Sequence, residues 1–332
     1  MKLTAKHWIT VVSSALLMAA IFWLVTRTNG LGAIFETLKR IAPADAVIAF
    51  LAVIGMQIAA VWRAEIICRL DGVPSVNLAN LLRLQFVAQF IAHGAPVSAL
   101  ADVAKVAMLS LRFDISPGRA LRLTVFERAL GAVGAMSAGL LTLALQLWLG
   151  VPRGVILVQA LVWFAGIGGL VAAAALVSRF KISVNVALLD KIFHSLGMFV
   201  DLLRNKRASV VLFLAAVAQL LCMSMAFAVL AHGMDIYLSP LHVIAFMPFI
   251  FFVSSLPIFY MGWGGREAAV IVTLGAASSL EVTQAVSISV AFGAVVLLAS
   301  LPGGAFWLAR PSMRKAVTAQ ARQIEFPRQA GT

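Results

Sequence analysis

One stretch constrains this chain more than any other: Ser254–Gly275, which reads SSLPIFYMGWGGREAAVIVTLG. A proline, a glycine cluster and the adjacent pair Arg266 and Glu267 interrupt what is otherwise a membrane-like apolar run. A charged side chain at the centre of a transmembrane helix costs about 2.5–3.5 kcal/mol on insertion scales, so it faces a cavity, a partner or a ligand. Proline and glycine at that depth break the helical ladder, which is tolerated where protein or a watery cavity satisfies the freed backbone. A broken helix that carries charge is the arrangement found in transporter binding sites.

The surrounding composition sets the class. The chain is 62% hydrophobic and 12% charged, where soluble proteins carry about a quarter charged residues. This is an integral membrane protein, and its 332 residues leave room for roughly six to eight spans of about 20 residues. We expect one transmembrane domain over residues 1–310 and a basic cytoplasmic tail over 311–332. The net charge of +13 does not indicate nucleic acid, because the basic residues lie between apolar runs and act as topology signals. Cys68 and Cys222 have no metal-ligand spacing and imply neither zinc nor a disulfide framework.

The expected fold is all-α: a polytopic bundle of about six full spans and two broken or re-entrant helix pairs. Trp8–Val25 reads as a retained anchor rather than a cleaved leader. Further spans are expected near Ala44–Trp62, Thr124–Leu149, Val155–Val177, Ser209–Ala231 and Thr283–Ala309. The broken pairs are Leu84–Leu111, interrupted at His93-Gly94-Ala95-Pro96, and His242–Ala277, interrupted around Pro257. With both termini inside, nearly all basic residues fall on the cytoplasmic side, Arg63 among them, while Lys105 and Arg266 lie within the membrane. The first hairpin then enters from the cytoplasm and the second from outside, as an inverted repeat requires. A short echo supports such a repeat: Phe90 and Phe251 each lie six residues before a proline, and Lys105 and Arg266 each lie nine after it. Apolar residues from Leu188 to Leu203 recur at helical spacing and predict an amphipathic helix at the interface.

The chemistry-bearing residues are few. Gly262-Trp263-Gly264 starts like a dinucleotide fingerprint, but Glu267 holds the third glycine position. The five histidines form no metal pair, and no nucleophile motif appears, so neither metal, cofactor nor enzymatic activity is expected. Asp102 and Lys105 are three apart and can neutralise each other on one helix face. Arg266 and Glu267 are consecutive, so a helix aims them about 100° apart and each is expected to find a different partner. Glu127 and Arg128 repeat that arrangement near the end of a span. Pro96, Pro257, Gly262, Gly264 and Gly265 are the expected hinges, where new helix N-termini can attract an anion.

SSLPIFYMGWGGREAAV, together with FERALG at Phe126–Gly131, resembles the signature segments of the lysylphosphatidylglycerol synthase transmembrane-region family, also called flippase-like membrane proteins. Around Pro96–Lys105 the chain carries Ser98-Ala99-Leu100-Ala101-Asp102 where more glycine is usual in that family. The resemblance implies an inner-membrane protein that translocates or presents an amphiphilic, anionic lipid. Arg266, Arg128 and Lys105 would engage the head group, with Glu267, Glu127 and Asp102 as counter-charges. The alternative it implies is an accessory protein that docks a lipid- or glycan-modifying enzyme. Some members carry a soluble aminoacyl transferase domain; none is expected here, so lysyl-lipid synthesis by this chain alone is not expected.

Overall fold

The computed structural model describes residues 30–73, 76–94, 99–180, 205–256, 259 and 262–311, with Arg314, Lys315, Val317 and Ala319 beyond. The expected first span, the 188–203 helix, Pro96 and Pro257 lie outside the described residues. Within them the fold is all-α. The helices are α1 (Gly30–Lys39), α2 (Pro43–Leu70), α3 (Leu78–Gly94), α4 (Ala99–Phe113), α5 (Pro117–Trp148), α6 (Arg153–Phe180) and α7 (Lys206–Gly233). They continue with α8 (Pro240–Ser255), α9 (Gly265–Val270), a π-turn (Ile271–Gly275), α10 (Ala276–Ser278) and α11 (Val282–Leu308).

Local sequence explains the boundaries. Proline stands in the first turn of α2, α5 and α8, where its missing N–H has no helical partner to lose. Ser116 caps α5 by accepting from the Arg119 N–H at 3.3 Å, and Asn205 caps α7 through Ala208 N–H at 3.1 Å. Four helices, α2, α5, α7 and α11, are long and apolar enough to cross a membrane. Their outward faces carry Leu51, Leu141, Phe213 and Leu298 exposed, as contact with lipid tails demands. Phe35, Trp148 and Tyr237 are exposed at one end and Trp62 and Phe306 toward the other, matching the aromatic belts of membrane interfaces.

Both interrupted regions are interrupted where expected. The first divides into α3 and α4, and the second into α8 and the α9–π-turn–α10 segment. The span expected to stop at Trp62 runs on to Leu70. Arg63, expected as a flanking charge at the cytoplasmic edge, is therefore an interior residue of α2.

The packing has an internal twofold pattern. At its centre α2 lies along α7, and the two run antiparallel: Asp45 Oδ2 is 3.4 Å from His232 Nδ1, while Gly55 faces Cys222 a few turns along. Around that pair, α3 packs on α11 as α8 packs on α5. Likewise α2 contacts α3 as α7 contacts α8, α4 contacts α5 as α9 contacts α11, and α1 contacts α11 as α6 contacts α5. Each relationship in the first half recurs in the second, with the central helices reversed. This is the arrangement of an inverted repeat. The α3–α11 contact is so close that a Cβ on Gly303 would fall on the Phe86 carbonyl.

Candidate functional site

The first polar cluster is built by the α3–α4 hairpin against α5. Lys105 Nζ on α4 donates to Glu127 Oε2 at 2.8 Å and to Gln85 Oε1 on α3 at 3.3 Å. One turn away, Arg128 donates from Nε (3.0 Å) and Nη2 (2.6 Å) to Asp102 Oδ1. The expected pairing of Asp102 with Lys105 is thus replaced by two pairings across helices. Glu127 and Arg128 are consecutive and diverge around α5, so each meets a different residue of the facing helix α4. Lys105 and Glu127 are largely buried, whereas the Arg128 side chain is 55% exposed. A narrow pocket reaches this pair between Ala64, Leu81, Gln85 and Leu123.

Glutamines extend the cluster to the central helices. Gln57 Nε2 on α2 donates to Gln89 Oε1 at 2.8 Å, and Gln85 Nε2 donates to Gln57 Oε1 at 3.3 Å. Arg63 is buried between α2, α5 and α7, and its Nη1 donates to Gln219 Oε1 at 3.0 Å. Among the described residues its buried Nε–H has no hydrogen-bond partner. Gly131 leaves room for this guanidinium: a Cβ there would stand 3.5 Å from Arg63 Nη2. Arg63 and Lys105 both act electrostatically on the single carboxylate of Glu127.

The second cluster forms at the start of α9. Gly262 and Gly264 adopt φ of 77° and 83°, the left-handed region that side chains rarely tolerate, and so turn the chain into the helix. Glu267 folds back and caps that helix, its Oε2 accepting from the Gly264 N–H at 2.6 Å. Its Oε1 accepts from Ser289 Oγ at 2.7 Å and from Arg266 Nη2 at 3.0 Å. Arg266 Nε donates to the same Ser289 Oγ at 2.8 Å.

The guanidinium lies 5.1 Å from the Trp263 ring centroid and 5.4 Å from that of Phe292, within the range of cation–π attraction. Arg266 is 5% and Glu267 1% exposed.

Two expectations need correction here. Arg266 and Glu267 do pair, because the first turn of a helix lets Glu267 curl back while Ser289 on α11 holds both side chains. The new helix N-terminus does not stand open to an external anion, since the chain's own carboxylate occupies it. Gly265, expected as a hinge, packs its bare Cα against the Phe259 ring.

Gln85, Gln219 and Ser289 do not stand out in the sequence, and Arg63 reads there only as a flanking charge. A glutamine in the middle of the apolar α7 run was the available signal for Gln219, and through it for Arg63. His93, beside the first break, hydrogen-bonds at 2.8 Å to the Gln89 carbonyl of its own helix. Among the described residues no three histidine, cysteine, aspartate or glutamate side chains converge as a metal site would require.

No curated protein matches the chain. A family model does, over residues 10–304, a range that takes in both hairpins and both charged clusters. The interrupted helices, the buried ion pairs and that match agree, and the chain belongs to the family described as the lysylphosphatidylglycerol synthase transmembrane region.

Proposed function

We propose that the protein translocates or presents an anionic amphiphilic lipid across the bacterial inner membrane, without enzymatic activity of its own. The observation that carries this reading is the position of its buried charge. Lys105–Glu127 and Arg266–Glu267 stand beside the breaks of two hairpins in oppositely running halves of the bundle. Buried ion pairs are weak contributors to stability compared with apolar packing of the same volume. Retaining two of them in lipid suits a task that needs charge at that depth.

In this reading Lys105 and Arg266 attract the phosphate of the head group, and Glu127 and Glu267 hold each cation while the site is empty. Arg128 and Asp102, nearer solvent, guard the approach to the first cluster. In this reading both termini lie in the cytoplasm, which the inward bias of the basic residues supports.

The test is lipid analysis of protein purified in mild detergent, wild type against Arg266→Ala/Glu267→Ala. Selective enrichment of one anionic lipid class in the wild type, lost in the variant, supports the reading. Bulk membrane lipid in both samples would make the pair structural and favour the accessory role.

A further inference from the structure

We infer that a second, separate anion site lies at the basic face of the bundle, and that it holds the head group of an anionic phospholipid from the adjoining leaflet. A recess of about 390 Å³ opens there between α3, α4 and the end of α11, within the size range of small-molecule sites. Its lining includes Arg83 of α3, Arg112 of α4 and Arg310 just beyond α11, and none of its lining residues is acidic.

Among the described residues no carboxylate pairs with any of these three arginines. Arg112 donates through Nη2 to Asn80 Oδ1 at 3.0 Å, which fixes its direction while leaving its charge uncompensated. The Arg83 guanidinium carbon lies 6.0 Å from the Phe306 ring centroid, so that cation is also held without being neutralised.

The rest of the wall decides between a soluble anion and a lipid. Leu84, Met108, Leu111 and Val317 complete the lining, and Leu111 is exposed. A free phosphate has no use for such a floor, whereas a phospholipid places its phosphate at the arginines and its glycerol and first methylenes on the leucines. Basic recesses between transmembrane helices recognise anionic head groups in this way. Leu84 also lines the pocket that reaches Lys105 and Glu127, so the two sites share a wall. The recess does not depend on translocation; it needs only a leaflet at this face.

Native mass spectrometry of the full-length protein tests the inference, with short-chain phosphatidylglycerol, short-chain phosphatidylcholine and glycerol 3-phosphate as probes. The wild type is expected to favour phosphatidylglycerol over phosphatidylcholine by at least roughly tenfold, since each surface arginine contributes appreciably to anionic-lipid attraction. Arg112→Gln/Arg310→Gln should lower that ratio severalfold, and Arg153→Gln, at the exposed start of α6 and outside the recess, should leave it unchanged. Where the double variant melts early, Arg310→Gln alone, at an exposed position, should lower the ratio. A wild type without preference, or a preference left undiminished by the substitutions at Arg112 and Arg310, overturns the inference. So does a preference lowered equally by Arg153→Gln, which would reflect net charge rather than the recess. Glycerol 3-phosphate competing as well as the lipid would assign a soluble anion and overturn the lipid.

Discussion

Arg266 occupies in the second half of the bundle the place that Lys105 occupies in the first. Each lies nine residues after the proline of its broken region, and each reaches the long helix that follows. Lys105 bonds Glu127, 22 residues on, and Arg266 bonds Ser289, 23 residues on, both at 2.8 Å. The partners differ because Glu127 sits on α5 itself, whereas the second half supplies its carboxylate from the residue beside the arginine.

The Lys105–Glu127 pair gives the first prediction. Lys105→Gln leaves Glu127 with Arg63 as a buried counter-charge, whereas Glu127→Gln strips both Lys105 and Arg63 of their carboxylate and should cost more, about 3–5 kcal/mol. The double substitution relieves Lys105, although not Arg63, and should recover part of the Glu127→Gln loss, because two amides can bond each other. Thermal unfolding of the four proteins in detergent decides the matter; equal losses in the single and double variants would sink the argument.

Around Arg266 the prediction separates hydrogen bonding from space. Ser289→Ala removes the hydroxyl that bonds Arg266 and Glu267 together and should cost about 1–3 kcal/mol. Gly293→Ala instead inserts a methyl 2.5 Å from Arg266 Nη2 and 3.0 Å from the Trp263 ring, and overpacking of this kind costs about 1–3 kcal/mol. Both variants should also lose retained anionic lipid. Normal stability and lipid content in Gly293→Ala would mean that the guanidinium does not lie there.

A disulfide can test the central helix pair. A Cβ at Gly55 would lie 4.0 Å from Cys222 Cβ and 3.1 Å from its Sγ, inside the Cβ–Cβ range of about 3.5–4.5 Å for a disulfide. Gly55→Cys in a Cys68→Ala background should therefore cross-link to the native Cys222 under mild oxidant, read as the loss of both free thiols. Persistence of both thiols after oxidation would contradict the antiparallel register of α2 and α7.

Gly303 offers a check on how closely the first hairpin is held. Any side chain there meets the Phe86 carbonyl and the Val87 nitrogen of α3, neither of which can rotate away. Gly303→Ala should cost at least about 1–3 kcal/mol and loosen α3 from α11. Protease protection of the α3–α4 hairpin in the folded protein is the measurement, and unchanged protection would count against the contact.

Much of the architecture is legible in the sequence because lipid imposes simple rules. Apolar length picked out α2, α5, α7 and α11, and proline with glycine marked both breaks. Side-chain partnerships were harder to read. Asp102 and Lys105 share a helix face, so spacing alone pairs them, yet α5 brings closer partners. Arg63 looks like a flanking charge because Arg69 follows it; only the arrival of Gln219 from 156 residues away makes it an interior residue. Such contacts depend on where separate helices cross, which local periodicity does not encode.

The cap that Glu267 places on its own helix has a kinetic consequence. Under the proposed function, an anion arriving at Arg266 finds the position already filled by a tethered carboxylate, so it must compete with a neighbour that never diffuses away. Its affinity is the difference between two similar attractions, and the returning carboxylate hastens its departure. Short residence at this arginine is therefore built into the chain by the residue next to it.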